Sequence, residues 1–130
     1  MKMTDEWTVK AGWELDIDDD DIDALYDIFE DAGIEQYFSE DVVALARSPK
    51  GKVIGGITEG GGEELSIAVD DGWRHVGVGL SMMEAFLNQG GGGYMVAGTT
   101  DGLDFLISLK YRLSEEHKEM LDIPCWEQAE

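Results

Sequence analysis

The chain has 130 residues, a formal net charge of −20 at pH 7 and 43% hydrophobic residues, which predicts one folded domain around a single core rather than an acidic disordered chain. Nine lysines and arginines stand against 29 aspartates and glutamates, so no direct nucleic-acid partner is expected, because phosphate contacts need clustered cations. No run of about 20 apolar residues spans a membrane, no charged-then-apolar leader is read, and the single cysteine, Cys125, excludes an intrachain disulfide and deprives a zinc site of its usual thiolates.

A cytoplasmic protein is therefore expected. Self-repulsion of this size destabilises a compact state at low salt. At about 1 M salt the screening length falls to about 3 Å, so a salt-loaded, halophilic cytoplasm suits the composition. Cationic amines or basic proteins suit such a surface as partners.

Trp7–Leu15 has the content of a first strand. Asp16-Ile-Asp-Asp-Asp-Asp-Ile-Asp23 places alternating carboxylates as a calcium loop does, but Asp21 stands where glycine is needed and Asp27 where glutamate closes the site. A helix start capped by Asp19 or Asp20 is the better account, with the further acids favoured by the helix dipole. Ile22, Leu25, Tyr26, Phe29 and Ala32 continue it as an apolar stripe, and Gly33 ends it. Tyr37 and Phe38 lie in a short connecting segment. Val42–Arg47 and Lys52–Thr58 read as a hairpin about the turn Ser48–Gly51.

Leu65, Ile67 and Val69 alternate with Ser66 and Ala68, which predicts a strand over Glu64–Val69. Asp70-Asp-Gly-Trp73 breaks it, and Arg74-His-Val-Gly77-Val-Gly79 leads into a helix over Leu80–Leu87. Leu80, Met83 and Leu87, with Met82 and Phe86 beside them, give that helix a buried face. Strand, glycine turn, helix is the layout of an anion site: the first helical amides have no partners within the helix, and the dipole is positive there. A dinucleotide loop needs a different glycine spacing, and no Gly-Lys-Ser/Thr loop for a nucleoside triphosphate is present. Tyr94–Thr99 reads as a further strand, Asp101 as the cap of a helix through Tyr111, and Ser114–Leu121 as helix.

The stretch Val69-Asp-Asp-Gly-Trp-Arg74-His-Val-Gly77-Val-Gly79-Leu-Ser-Met-Met resembles motif A of the GNAT superfamily of N-acetyltransferases. The resemblance covers about residues 40–112 and is specific over 64–87. It implies an α+β fold with a mixed, mostly antiparallel central sheet flanked by helices. It further implies acetyl-CoA as cofactor, with the diphosphate on the amides of His75, Val76, Gly77, Val78, Gly79 and Leu80, and Arg74 adding a cation. The strand after the helix would run parallel to the Glu64–Val69 strand and splay from it, so that the acyl-pantetheine arm lies between them. The Val69 amide would hold the thioester oxygen. Glu64 would be the general base, directly or through water, and Tyr111 the general acid. Tyr37 and Phe38 would border the groove for a small-molecule or peptide amine acceptor.

One feature departs from the family: Tyr111 is not followed by Gly-Phe and closing strands. The sheet is then shorter, or is completed by another subunit in a homodimer or by the segment around Ile123–Trp126. A GNAT-like scaffold without catalysis, serving as an acidic protein-binding module, is the alternative function.

Overall fold

The computed structural model describes residues 7–96 and 99–128. Its centre is a four-stranded antiparallel sheet in the order β1 (Thr8–Ala11), β2 (Val42–Arg47), β3 (Val53–Glu59) and β4 (Leu65–Val69). Strand alternation divides the side chains between two faces: Ala44 and Ala46 join one core and Leu45 the other. Between β2 and β3 the register slips twice. Val42 faces Thr58 while Ala44 faces Ile57, and Ala46 faces Gly55 while Arg47 faces Val53, as bulges produce.

Helix α1 (Asp19–Asp31) covers one face with Leu25, Ile28 and Phe29. Helix α2 (Val78–Asn88) covers the other with Val78, Met82, Met83, Phe86 and Leu87. Full burial of side chains of this size contributes about 1.5–3 kcal/mol each. The helices come close because β3 offers them two adjacent glycines. A Cβ on Gly56 would stand 2.7 Å from a Leu25 methyl, and one on Gly55 3.2 Å from the Met82 methyl. Larger residues in the middle of β3 would push both layers outward.

The start of α1 differs from the expectation. Asp18 is the cap, in a reciprocal box: its carboxylate accepts from the Asp21 amide at 3.0 Å, and the Asp21 carboxylate accepts from the Asp18 amide at 3.1 Å. Arg47, at the end of β2, selects this register by donating two bonds to Asp21, at 3.0 and 2.9 Å. The other end matches: Gly33 is left-handed (φ +77°), its amide donates to Glu30 O, and the Ile34 amide donates to Phe29 O, a Schellman closure.

After α2 the chain runs through Gly90–Gly93 into β5 (Gly93–Tyr94), then α3 (Thr100–Arg112), α4 (Glu115–Lys118), β6 (Leu121–Asp122) and α5 (Cys125–Gln128). Of the strand expected over Tyr94–Thr99, only Tyr94 lies in β5; Met95, Val96 and Thr99 are in no strand, and residues 97 and 98 lie outside the described residues. Thr99, rather than Asp101, caps α3, accepting from the Gly102 amide at 3.0 Å. The helix expected over Ser114–Leu121 stops after one turn, and its end becomes β6, which pairs with β5 in parallel. Glycines make this possible. A Cβ on Gly92 would stand 2.5 Å from Met120 O, and one on Gly93 2.5 Å from Glu63 O. The C-terminal segment is held by Trp126, whose indole donates to Leu106 O at 2.6 Å, and by Lys110, which donates to Trp126 O at 2.9 Å. β5 and β6 form a separate two-stranded sheet, linked to the edge of the four-stranded one by a single bridge of Glu64 with Tyr94, so among the described residues the central sheet is the shorter one. No helix among the described residues is long and apolar enough to cross a membrane.

Candidate functional site

Three segments meet at the C-terminal end of β4. The strand ends at Val69, and Asp70 turns the chain by accepting the Gly72 amide at 3.3 Å in front of a single helical turn, Asp71–Trp73. Trp7 braces that turn, edge to face with Trp73 at 6.4 Å between ring centres. Two left-handed residues, His75 (φ +66°) and Gly77 (φ +102°), then curl the backbone into α2. At Gly77 a side chain would be strained, which explains the glycine from the backbone alone.

Among the described residues the amides of His75, Val76, Gly77, Val78, Gly79 and Leu80 donate no short, well-aligned hydrogen bond, within a stretch where residues 74–77 form a turn; the first such bond of the helix is Ser81 N–H to Gly77 O at 2.9 Å. Gly77 caps α2 without a side chain. This turn thus stands at the positive end of an 11-residue helix. His75 and Val76 are exposed, Gly77 and Leu80 half-buried, Val78 and Gly79 buried. The residues fit a phosphate-bearing group: the exposed part of the turn offers donors, and at Gly77 the nearest atom to a Cβ would be Trp7 at 3.7 Å. Gly79 has a second reason to be glycine, since a Cβ there would stand 2.8 Å from the Phe105 ring of α3.

Arg74 points back along the strand. Its Nε donates to Val69 O at 2.9 Å, and its Nη1 lies 3.5 Å from the exposed Asp71 carboxylate. The Asp70 amide bonds Ile54 O of β3, so strand alternation turns both the N–H and the C=O of Val69 to the opposite edge. Along that edge, among the described residues, β5 meets β4 at one parallel bridge, Glu64 with Tyr94.

Glu64 therefore marks the far end of the same strand, five residues or about 17 Å from Val69, and is half-buried. Beside it lies a hollow of about 330 Å³ whose lining includes Glu63, Tyr94, Glu119 and Asp122. A second hollow, about 130 Å³, lies between Lys10, Asp16 and Arg47. Neither includes a residue of the 70–80 turn.

The remaining sequence candidates lie elsewhere. Phe38 packs edge to face on Tyr26 and Phe29, at 5.3 and 5.2 Å, as part of the α1 core, while Tyr37 beside it is 47% exposed. Tyr111 is 72% exposed on the solvent side of α3, away from buried Leu106, Leu109 and Leu113. The structure thus unites Val69, Arg74 and residues 75–80, sets Glu64 at the other end of their strand, and leaves Tyr37, Phe38 and Tyr111 apart. Sequence reasoning missed Trp7, Asp71 and Phe105. Asp71 was legible as an acid three before a basic residue; Trp7 and Phe105 carried no local signal. Among the described residues no cluster of histidine, cysteine and acids is placed to hold a metal. Among known proteins, no family model, no curated protein and no solved structure matches this chain.

Proposed function

We propose that the protein is an acyl-CoA-dependent N-acetyltransferase of GNAT-like architecture, transferring acetyl from acetyl-CoA to a cationic amine. The observation that carries the reading is the turn from His75 to Leu80 at the start of α2, whose amides donate no short, well-aligned hydrogen bond to a described residue. They would hold the diphosphate through backbone donors, which suits a chain whose net charge otherwise repels anions. The outward edge of β4, with the Val69 amide and carbonyl, is suited to an extended chain of amides such as pantetheine, which pairs as an added strand would. Val69, about 17 Å from Glu64, would pair the arm near the diphosphate rather than the thioester, which an arm running along β4 would carry to the Glu64 end of the strand.

The opposite end of β4 suits the acceptor. Glu63, Glu119 and Asp122 around the 330 Å³ hollow favour an ammonium group, and Glu64 is adjacent to take its proton. When bound, acetyl-CoA would supply an activated acyl carbon: the amine nitrogen would form the C–N bond as the C–S bond breaks, Glu64 would take the amine proton, and solvent water would protonate the leaving thiolate. Direct transfer in a ternary complex is the proposed route; Cys125 belongs to the C-terminal segment rather than to the turn.

Calorimetry with acetyl-CoA in molar KCl tests the reading. Val76 is 54% exposed, so Val76→Glu places a carboxylate among the donors at little cost to the fold. It is expected to abolish saturable binding while the melting temperature holds. With a polyamine acceptor, Glu64→Gln is expected to lower kcat by about 10²-fold and leave acetyl-CoA affinity unchanged. Absence of binding by the wild type removes the proposal. Binding without transfer to polyamines, peptides or aminoglycosides favours the second reading, an acidic binding module. That reading is supported by the whole stretch between Lys10 and Arg47, which contains no lysine or arginine.

A further inference from the structure

The Arg74 side chain occupies the place that the proposed reading needs free. Its guanidinium lies on the outward edge of β4, bonded through Nε to Val69 O at 2.9 Å. That edge is the one an extended amide ligand would pair with. The hold on Arg74 is light. It consists of one neutral acceptor and one carboxylate, Asp71, at 3.5 Å, whose side chain is 92% exposed; such surface pairs contribute little. Arg74 itself is only 29% exposed and directly precedes the amides from His75 to Leu80. A diphosphate on those amides would bring a stronger partner for a guanidinium than a backbone carbonyl, because charge-assisted, bidentate bonds to phosphate are the strong class.

We propose that Arg74 is a latch on the β4 edge: it closes the edge at Val69 in the free protein and is drawn off by the diphosphate, so that the acyl arm gains its pairing edge only after the diphosphate is seated. The inference rests on the proposed diphosphate site, and it adds an order of binding that the site alone does not require. Arg74 is a positioning residue here. Its effect on the acyl arm runs through Val69, and the energetic link between the two halves of the ligand is a coupling that must be reciprocal.

The test separates the two halves of the ligand. ADP serves as the diphosphate probe and pantetheine as the arm probe, each titrated into the full chain in molar KCl. In the wild type, saturating ADP is expected to tighten pantetheine about tenfold, and pantetheine to tighten ADP by the same factor. In Arg74→Ala, pantetheine alone is expected to bind as tightly as it does to the ADP-loaded wild type, and the coupling is expected to vanish, while ADP weakens. The Arg74 Nε–H resonance should shift with ADP and stay in place with pantetheine at low occupancy. If ADP and pantetheine both bind but independently, or if Arg74→Ala leaves pantetheine affinity unchanged, the latch is overturned and the diphosphate site stands. If neither ADP nor coenzyme A binds the wild type, both fall together.

Discussion

Asp21 joins two elements at once. Its carboxylate completes the cap of α1 and accepts both Arg47 bonds from the end of β2. The Arg47 guanidinium, the largest influence, holds this carboxyl below its ordinary range against the opposing effect of burial. A carboxyl whose pKa is lower folded than unfolded contributes stability that is full above the unfolded value, about pH 4, and is lost as pH falls through the folded value. Asp21→Asn is therefore expected to destabilise the protein by about 1–3 kcal/mol at pH 7, measured by urea unfolding. The difference from wild type should shrink below about pH 4. At this scale the sequence was informative about kinds of residue but not about partners. A run of four aspartates, Asp18–Asp21, supplies several chemically equal caps, and Arg47, 26 positions away, decides which of them serve. Gly79 shows the same limit. From sequence it reads as a ligand glycine beside a helix start, whereas in the structure it is buried and the Phe105 ring, 2.8 Å from where a Cβ would stand, accounts for it by packing.

At the scale of elements, the local patterns placed most strands and helices, since period and turn chemistry belong to neighbouring residues. The hairpin β2–β3, the strand β4 and the helix α2 stand within two residues of expectation. The C-terminal third differs, because its order comes from contacts. Asn88-Gln-Gly-Gly-Gly-Gly93 has the composition of a flexible linker, yet Gly91, Gly92 and Gly93 each let another segment approach within 2.5 Å of a Cβ position. Gly92→Ala is expected to cost about 2 kcal/mol, because the obstructing atom is the Met120 carbonyl of the backbone, which cannot rotate away. Amide exchange at Met95, whose N–H bonds Asp122 O, should accelerate with it. Gly61→Ala, with nothing within 4 Å of the added carbon, is the control and should stay within about 0.5 kcal/mol.

At the scale of the molecule the charge dominates. A formal charge of −20 opposes compaction, and screening at about 1 M salt relieves it. The melting temperature is expected to rise with KCl, by roughly 4 °C for each kcal/mol relieved in a chain of this length. A flat or falling curve from 0.1 to 2 M KCl would remove the high-salt setting.

Composition, periodicity and turn residues by themselves determined an acidic α+β domain, its hairpin, and a glycine turn between a strand and an apolar helix. These follow from interactions between near neighbours, which a sequence displays directly. Only the tertiary structure decided that Arg74 folds back onto Val69, that Phe105 fills the space at Gly79, and that Leu121–Asp122 pairs with Gly93–Tyr94. The side-chain and strand contacts beyond the turn join residues tens of positions apart, and which of many equivalent partners meets is set by how the layers pack rather than by any local pattern.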